Sequence, residues 1–190
     1  TAGQGRFVEA MTYVEQCRQV LDEMDRPYIV ASLSLSLSQI AMQAGDLSAA
    51  EDHVGRALRV ARDTGNQFDL VHFLLQLGAV TVARGDYAAA LAAYREAAAV
   101  GQEIHAESLM VDVVAGLADR AWAMGYVPMA TTLYRFVQTC SSASQETISR
   151  ATGRLGDSTL RPLASIKPLN IDEALELGLR LDRYSQLEGV

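Results

Sequence analysis

Residues 71–101 read VHFLLQLGAVTVARGDYAAALAAYREAAAVG. Two amphipathic helical patterns meet in this stretch at Gly85. The first carries Leu74, Leu77, Gly78 and Thr81, and the second carries Tyr87, Ala90, Tyr94 and Ala97. Spacings of three and four residues put each set on one helix face. Gly85 falls where the first helix should stop, because a glycine adopts the left-handed conformation without a Cβ clash. Asp86 is then placed to cap the second helix. Small residues dominate the inner stripe, so the two helices can approach closely. The spacing predicts a helical hairpin built for stacking.

The hairpin recurs. Gly5, Gly45, Gly85 and Gly125 stand forty residues apart. Five residues after each comes Ala10, Ala50, Ala90 or Ala130, and nine after each comes Val14, Val54, Tyr94 or Tyr134. Eight residues before the last three glycines stand Leu37, Leu77 and Leu117. Several columns held in one register point to a repeat architecture. A lone hairpin leaves its apolar face open, whereas stacked neighbours bury a continuous core.

Leu77, Gly78, Gly85, Asp86, Tyr87, Ala90, Tyr94 and Ala97 form a pattern that resembles a tetratricopeptide repeat. Gly45, Asp46, Leu47, Ala50 and Ala57 are similar, as are Leu117, Gly125, Tyr126, Ala130 and Tyr134. Ser38 and Ala118 replace the first glycine, and no closing proline follows Ala57 or Ala97. The period exceeds the usual length of about 34 residues. Such long repeats resemble those of bacterial signal-transduction ATPases and large ATP-binding LuxR-type transcriptional regulators. The resemblance implies an all-α, right-handed superhelix of antiparallel helical hairpins with a C-terminal helical cap. The expected units are residues 1–140 for the repeats and 141–190 for the cap. Within the first, residues 1–26 are a half repeat, followed by repeats at 27–66, 67–106 and 107–140. The chain opens at Thr1 with Gly5 at a mid-repeat turn, so the first hairpin is expected to lack its first helix and the segment to come from a longer protein.

Composition bounds the function. The chain is 49% hydrophobic and carries a net charge of −7, which supplies a core and argues against a nucleic-acid surface in this segment. No apolar run has the length of a membrane span, and no basic, apolar leader precedes residue 20. Cys17 and Cys140 fit no metal or redox spacing and are expected as reduced, buried thiols in a cytoplasmic protein.

Along the chain, residues 5–24 read as a helix with Phe7, Ala10, Met11, Val14, Cys17, Val20 and Leu21 inward. Residues 28–44 contain SLSLSLS, whose alternation is strand-like. The forty-residue frame overrules it and predicts a helix with Leu33, Leu37, Ile40 and Ala44 on one stripe. Helices follow over 47–63, 67–84, 87–104, 107–124 and 127–139, with a turn at 64–66 and no turn signal at His105 and Ala106. A short helix is expected over 145–154. Asn170, Asp172 and Glu173 then open a helix reaching Arg183, in a tail that resembles the one following the repeats in the LuxR-type regulators.

No catalytic constellation is visible. Lys167 follows no glycine-rich phosphate loop, His53, His72 and His105 lack ligand spacing, and Ser36 and Ser38 lack a nucleophile elbow. No metal, no cofactor and no enzymatic activity are expected; Asp119, His72 and Glu103 would be the residues of a disfavoured enzyme reading. In the family the first helix of each hairpin lines the concave face. By position that face carries Ser32, Leu35, Gln39 and Met42, then His72, Leu75, Ala79 and Val82, then Asp112, Ala115, Asp119 and Trp122. The candidate binding residues are Gln39, Met42, His72, Leu75, Asp112, Asp119 and Trp122. Trp122 is the candidate anchor, although packing against the next repeat explains an indole equally well. The groove would take a protein, a peptide or a small effector. The function implied is a sensor or scaffold module that contacts other domains of a larger bacterial regulator. A free-standing adaptor is the alternative.

Overall fold

The structure, a computed structural model, describes residues 26–156 and 169–180, together with Thr12, Tyr13 and Gln16. Among these residues every regular element is a helix. The helices are α1 (Pro27–Ala44), α2 (Leu47–Thr64), α3 (Gln67–Arg84), α4 (Tyr87–Glu103), α5 (Glu107–Ala123), α6 (Val127–Thr139), α7 (Gln145–Leu155) and α8 (Ile171–Leu179). From α1 to α7 each helix packs on the next, α1 also touches α3, and α3 touches α5. The odd helices α1, α3 and α5 therefore form one row, with α2 and α4 bridging them from one side. Helix α8 returns to pack on α5 and, at its margins, on α4 and α6.

The first six helices begin at residues 27, 47, 67, 87, 107 and 127, a step of 20 residues. The forty-residue repeat is thus two helices of equal pitch in sequence. Each junction is made by the same pair of backbone bonds. At Gly85 its N–H donates to the Val82 carbonyl at 3.0 Å, and the Asp86 N–H donates to Thr81 at 2.9 Å. Equivalent pairs close the turns at residues 45, 65, 105 and 125. This geometry satisfies carbonyls that a helix end leaves open and requires a left-handed residue at its centre. Gly45, Gly65, Gly85 and Gly125 supply it with φ between 67° and 85°. The fifth turn uses His105 at φ 53°, the one non-glycine with positive φ among the described residues. That explains why this boundary carries no signal in the sequence: the turn is present and its usual residue is not.

The following residues restart the helices. Asp46, Asn66 and Asp86 accept the N–H groups of Ala49, Asp69 and Ala89 on their side chains. Ala106 and Tyr126 offer no such cap. Ala50, Ala90 and Ala130 are fully buried, where a side chain of one methyl group lets paired helices close up. Residues 28–44 are helical despite their alternation, but the stripe differs from the expected one. Val30, Ala31, Ser34, Leu37, Ser38 and Ala41 are buried, whereas Leu33 and Ile40 are half-buried and Ala44 is exposed. The small serines face inward because α1 must meet both α2 and α3; Gln76 of α3 donates to Ser38 at 3.2 Å.

Tyr94 locks the middle of the stack. Its ring lies against α3 at Gly78 and against α5 at Gly116. A Cβ at Gly78 would meet the ring at 2.3 Å and one at Gly116 would meet it at 2.6 Å. Two glycines forfeit helix propensity so that one aromatic ring can bridge three helices. Forty residues earlier the corresponding positions hold Ser38 and Val54, a larger residue in place of the glycine and a smaller one in place of the tyrosine. Arg120 fastens α5 to the start of α4. It is 2% exposed, and its Nε donates to the Tyr87 carbonyl at 2.7 Å. Tyr87 returns a bond from its hydroxyl to the Ala123 carbonyl at 3.2 Å.

Cys140 is free but half-buried at the end of α6, not buried as expected, because it has left the helix register. Helix α7 opens at Ser144 and α8 at Asn170, where a reciprocal capping box with Glu173 forms as the sequence indicates. The expected helix over 5–24 lies outside the described residues except at Thr12, Tyr13 and Gln16, which are helical and exposed. Cys17 and Lys167 also lie outside them, and α8 ends at Leu179 with Arg180 as its C-cap, short of the expected Arg183. No helix among the described residues is long and apolar enough to cross a membrane.

Two outcomes follow. His105→Gly raises stability by about 0.5 kcal/mol, since glycine relieves the left-handed strain but loses more chain entropy. His105→Val at this exposed site lowers it by about 1–2 kcal/mol; chemical denaturation of both variants checks the sign. Gly78→Ala costs about 1–3 kcal/mol by overpacking. A second change of Tyr94→Val recovers part of that loss in a double-mutant cycle.

Candidate functional site

The row formed by α1, α3 and α5 presents side chains at matching heights, because residues forty apart occupy equivalent positions. Leu35 and Gln39 come from α1, His72, Leu75 and Ala79 from α3, and Asp112 and Asp119 from α5. Together they line one cavity of 240 Å³. Gln76 joins them, held by its bond to Ser38 and a 3.8 Å approach to the Met42 sulfur. The edge of Tyr94 and the bare backbone of Gly116 complete the α4 and α5 side. The missing Cβ at Gly116 thus serves two ends: it seats Tyr94 and opens space beside the ring.

The remaining wall comes from the segment after the repeats. Ser144, Glu146, Thr147 and Arg150 of the α7 region line the same cavity. Two carboxylates of α5 hold α7 there. The Thr147 hydroxyl donates to Asp112 Oδ1 and receives a bond from Ser144 at 2.8 Å. Asp119 Oδ1 accepts the Tyr134 hydroxyl at 2.6 Å and lies 3.3 Å from Arg154 Nε. Asp119 Oδ2 lies 3.8 Å from Arg150 Nε. Asp119 and Asp112 are seven residues apart on one face of α5, while Thr147, Arg150 and Arg154 share one face of α7. A half-buried carboxylate beside a phenol donor and two guanidiniums has one hydrogen bond and nearby positive charge to offset its burial.

This network acts on the tyrosines. Burial pushes the Tyr134 hydroxyl well above its ordinary range, and the neighbouring Asp119 charge and their hydrogen bond push it further. Burial does the same to Tyr94, again reinforced by Asp119.

The candidates divide by height along the helices. Gln39, His72, Leu75, Asp112 and Asp119 meet in the cavity, as do Leu35 and Ala79. Met42, Val82 and Trp122, one turn further toward the helix ends, are not in its lining. Met42 packs on a small cluster of Ala41, Ala50 and Val80. Trp122 is half-buried, with its ring 6.4 Å from that of Tyr134. Ser32 is exposed and Ala115 is fully buried. Glu103 stands exposed in the last turn of α4, away from the cavity. The repeat positions have mostly structural placements: Gly78, Ala90, Tyr94, Ala130 and Tyr134 are buried, and Leu77 is half-buried. Reading by repeat position missed Thr147, Arg150 and Arg154, since α7 lies outside the forty-residue register that located the others.

Compared with known proteins, the chain matches no family model, no curated protein and no solved structure.

The stability of this site depends on pH in a calculable direction. An unfolded tyrosine ionises near pH 10, whereas Tyr94 and Tyr134 keep their protons to higher pH when folded. Above about pH 10 the unfolded chain therefore binds fewer protons, and stability falls as pH rises. Tyr134→Phe removes up to about 1.4 kcal/mol per pH unit of this alkaline slope. It also lowers stability at neutral pH by about 1–2 kcal/mol, through loss of a donor to Asp119. Urea melts from pH 7 to about pH 11 measure both.

Proposed function

We propose that the chain is a tetratricopeptide-repeat module that binds a protein, a peptide or a small effector in the cavity along α1, α3 and α5. In this reading the hairpins wind as a right-handed superhelix, and residues 141–190 cap its C-terminal end. The module acts as sensor or scaffold within a larger cytoplasmic regulator, of the kind that joins an ATPase and a DNA-binding domain. Binding in the cavity shifts the population between an inactive and an assembly-competent state of the whole protein.

One observation carries the reading. Positions that the repeat register equates, on three separate helices, converge on a single cavity with mixed polar and apolar walls. A site of that composition gives orientation through a few polar groups and affinity through apolar contact. The forty-residue spacing with glycine and alanine at fixed offsets supports the family. The role in transcription or signalling rests on the resemblance of the long repeats and the tail alone.

The test places a benzophenone amino acid at Leu75, in the cavity, or at Arg59, exposed on α2. Irradiation in cells should join the Leu75 variant to one defined partner, identified by mass spectrometry, and leave the Arg59 variant unlabelled. Equal labelling from both positions removes the cavity as the binding site.

A further inference from the structure

We propose that the cavity receives a basic side chain, arginine or lysine, presented by an amphipathic helix of a partner protein. The proposal rests on the cavity being a protein-binding groove and adds the chemistry of what it holds.

Four polar groups in the lining are uncommitted. Asp112 has one oxygen occupied by Thr147, and its other oxygen has no partner among the described residues. The Glu146 carboxylate and the Gln39 amide likewise have none, and the His72 ring meets only Phe68, edge-on at 4.9 Å. Asp112 is half-buried, and a carboxylate withdrawn from water without a counter-charge is costly. Among the described residues Arg150 is the one lysine or arginine in the lining, and it sits at Asp119. The empty part of the cavity therefore faces two carboxylates that no cation among the described residues pairs with.

Helix α7 shows how such a surface is read. It lays a hydroxyl on Asp112 and two guanidiniums on Asp119, spaced along one helical face. A partner helix set beside it would place a basic side chain between Asp112 and Glu146, with its aliphatic stem against Leu35 and Leu75. The volume of 240 Å³ holds side chains, not a helix of about 10 Å diameter, so the helix itself rests on the rim. The rim supplies apolar contact: Phe68, whose ring meets the lining residue His72 edge-on, is 53% exposed. This aromatic extends the footprint beyond what a small amine could cover. An acidic helix would instead meet Asp112 and Glu146 with like charge. The net charge of −7 also steers a cationic partner toward the chain.

The experiment titrates the 190-residue chain with a fluorescent helix of about 18 residues, carrying leucines on one face and arginines beside them. Counterparts with Glu or Gln for each arginine, and arginine amide alone, are titrated in parallel. The arginine helix should bind with a salt-sensitive Kd and the Glu helix should not. Asp112→Asn keeps an acceptor for Thr147 and should weaken binding about fivefold or more. Glu146→Gln, at an exposed position with no partner to lose among the described residues, should weaken it about two- to threefold, and Phe68→Ala comparably. Circular dichroism confirms that each variant keeps its helix content. Equal or tighter binding of the Glu or Gln helix overturns the charge preference and leaves the groove reading standing. Arginine amide binding as tightly as the helix overturns the helical partner. Affinity unchanged by both Asp112→Asn and Glu146→Gln puts the contact elsewhere and overturns the site. If none of the probes binds, the basic-helix proposal fails, and the groove reading is judged separately by cross-linking at Leu75.

Discussion

The left-handed turn at every twentieth residue is the constraint on which the rest of the structure depends. Each of the five turns reverses the chain with two backbone bonds and one residue of positive φ. Because the helices between them share one step in sequence, residues forty apart arrive at equal heights on the odd helices. A cavity assembled from single residues on three helices requires that regularity. One inserted residue in any of these helices would rotate the following side chains by about 100° and take a wall from the site.

Close approach of the helices is the second requirement, and small residues meet it in different ways. Buried alanines at positions 50, 90 and 130 allow paired helices to close. In the middle hairpin the same closeness is filled by one large ring, with Gly78 and Gly116 giving Tyr94 its seat. Near the C-terminal end Gly178 does a comparable job, since a Cβ there would meet the Leu117 side chain at 2.8 Å. The core thus alternates tight backbone contact with an aromatic filler, which suits a stack whose units touch only their neighbours.

Polar contacts finish what apolar packing begins. Helix α7 buries Ala151 and Leu155, a small apolar area for eleven residues, alongside Thr147. Its position over the cavity is set by Asp112, which accepts from Thr147, by Asp119, which pairs with Arg150 and Arg154, and by Ser142, which donates to Glu107 at 3.0 Å. Asp119 is the centre of this arrangement. It fixes Tyr134 within its own hairpin, attracts two arginines of α7, and raises the proton affinity of both buried tyrosines. The same carboxylates that seat α7 define the electrostatic character of the cavity beside it.

Much of this was legible in the residues because the signals are local. Gly45, Gly65, Gly85 and Gly125 mark turns, Asp46, Asn66, Asp86 and Asn170 mark helix starts, and spacings of three and four mark inner faces. The forty-residue register even placed Gln39, His72, Leu75, Asp112 and Asp119 on one row, since a repeat turns sequence distance into spatial equivalence. The turn at His105 escaped because its conformation is imposed by the helices it joins and not by its own preference. Which of the candidates share a cavity, and which pack elsewhere as Met42 and Trp122 do, depended on how far the stripes extend before neighbouring helices cover them. The meeting of Thr147 and Arg150 with α5, the burial of Arg120 and the seat of Tyr94 were decided by tertiary structure alone. Those contacts join residues on different helices, well separated in sequence and some with no shared repeat register, and only packing brings such pairs together.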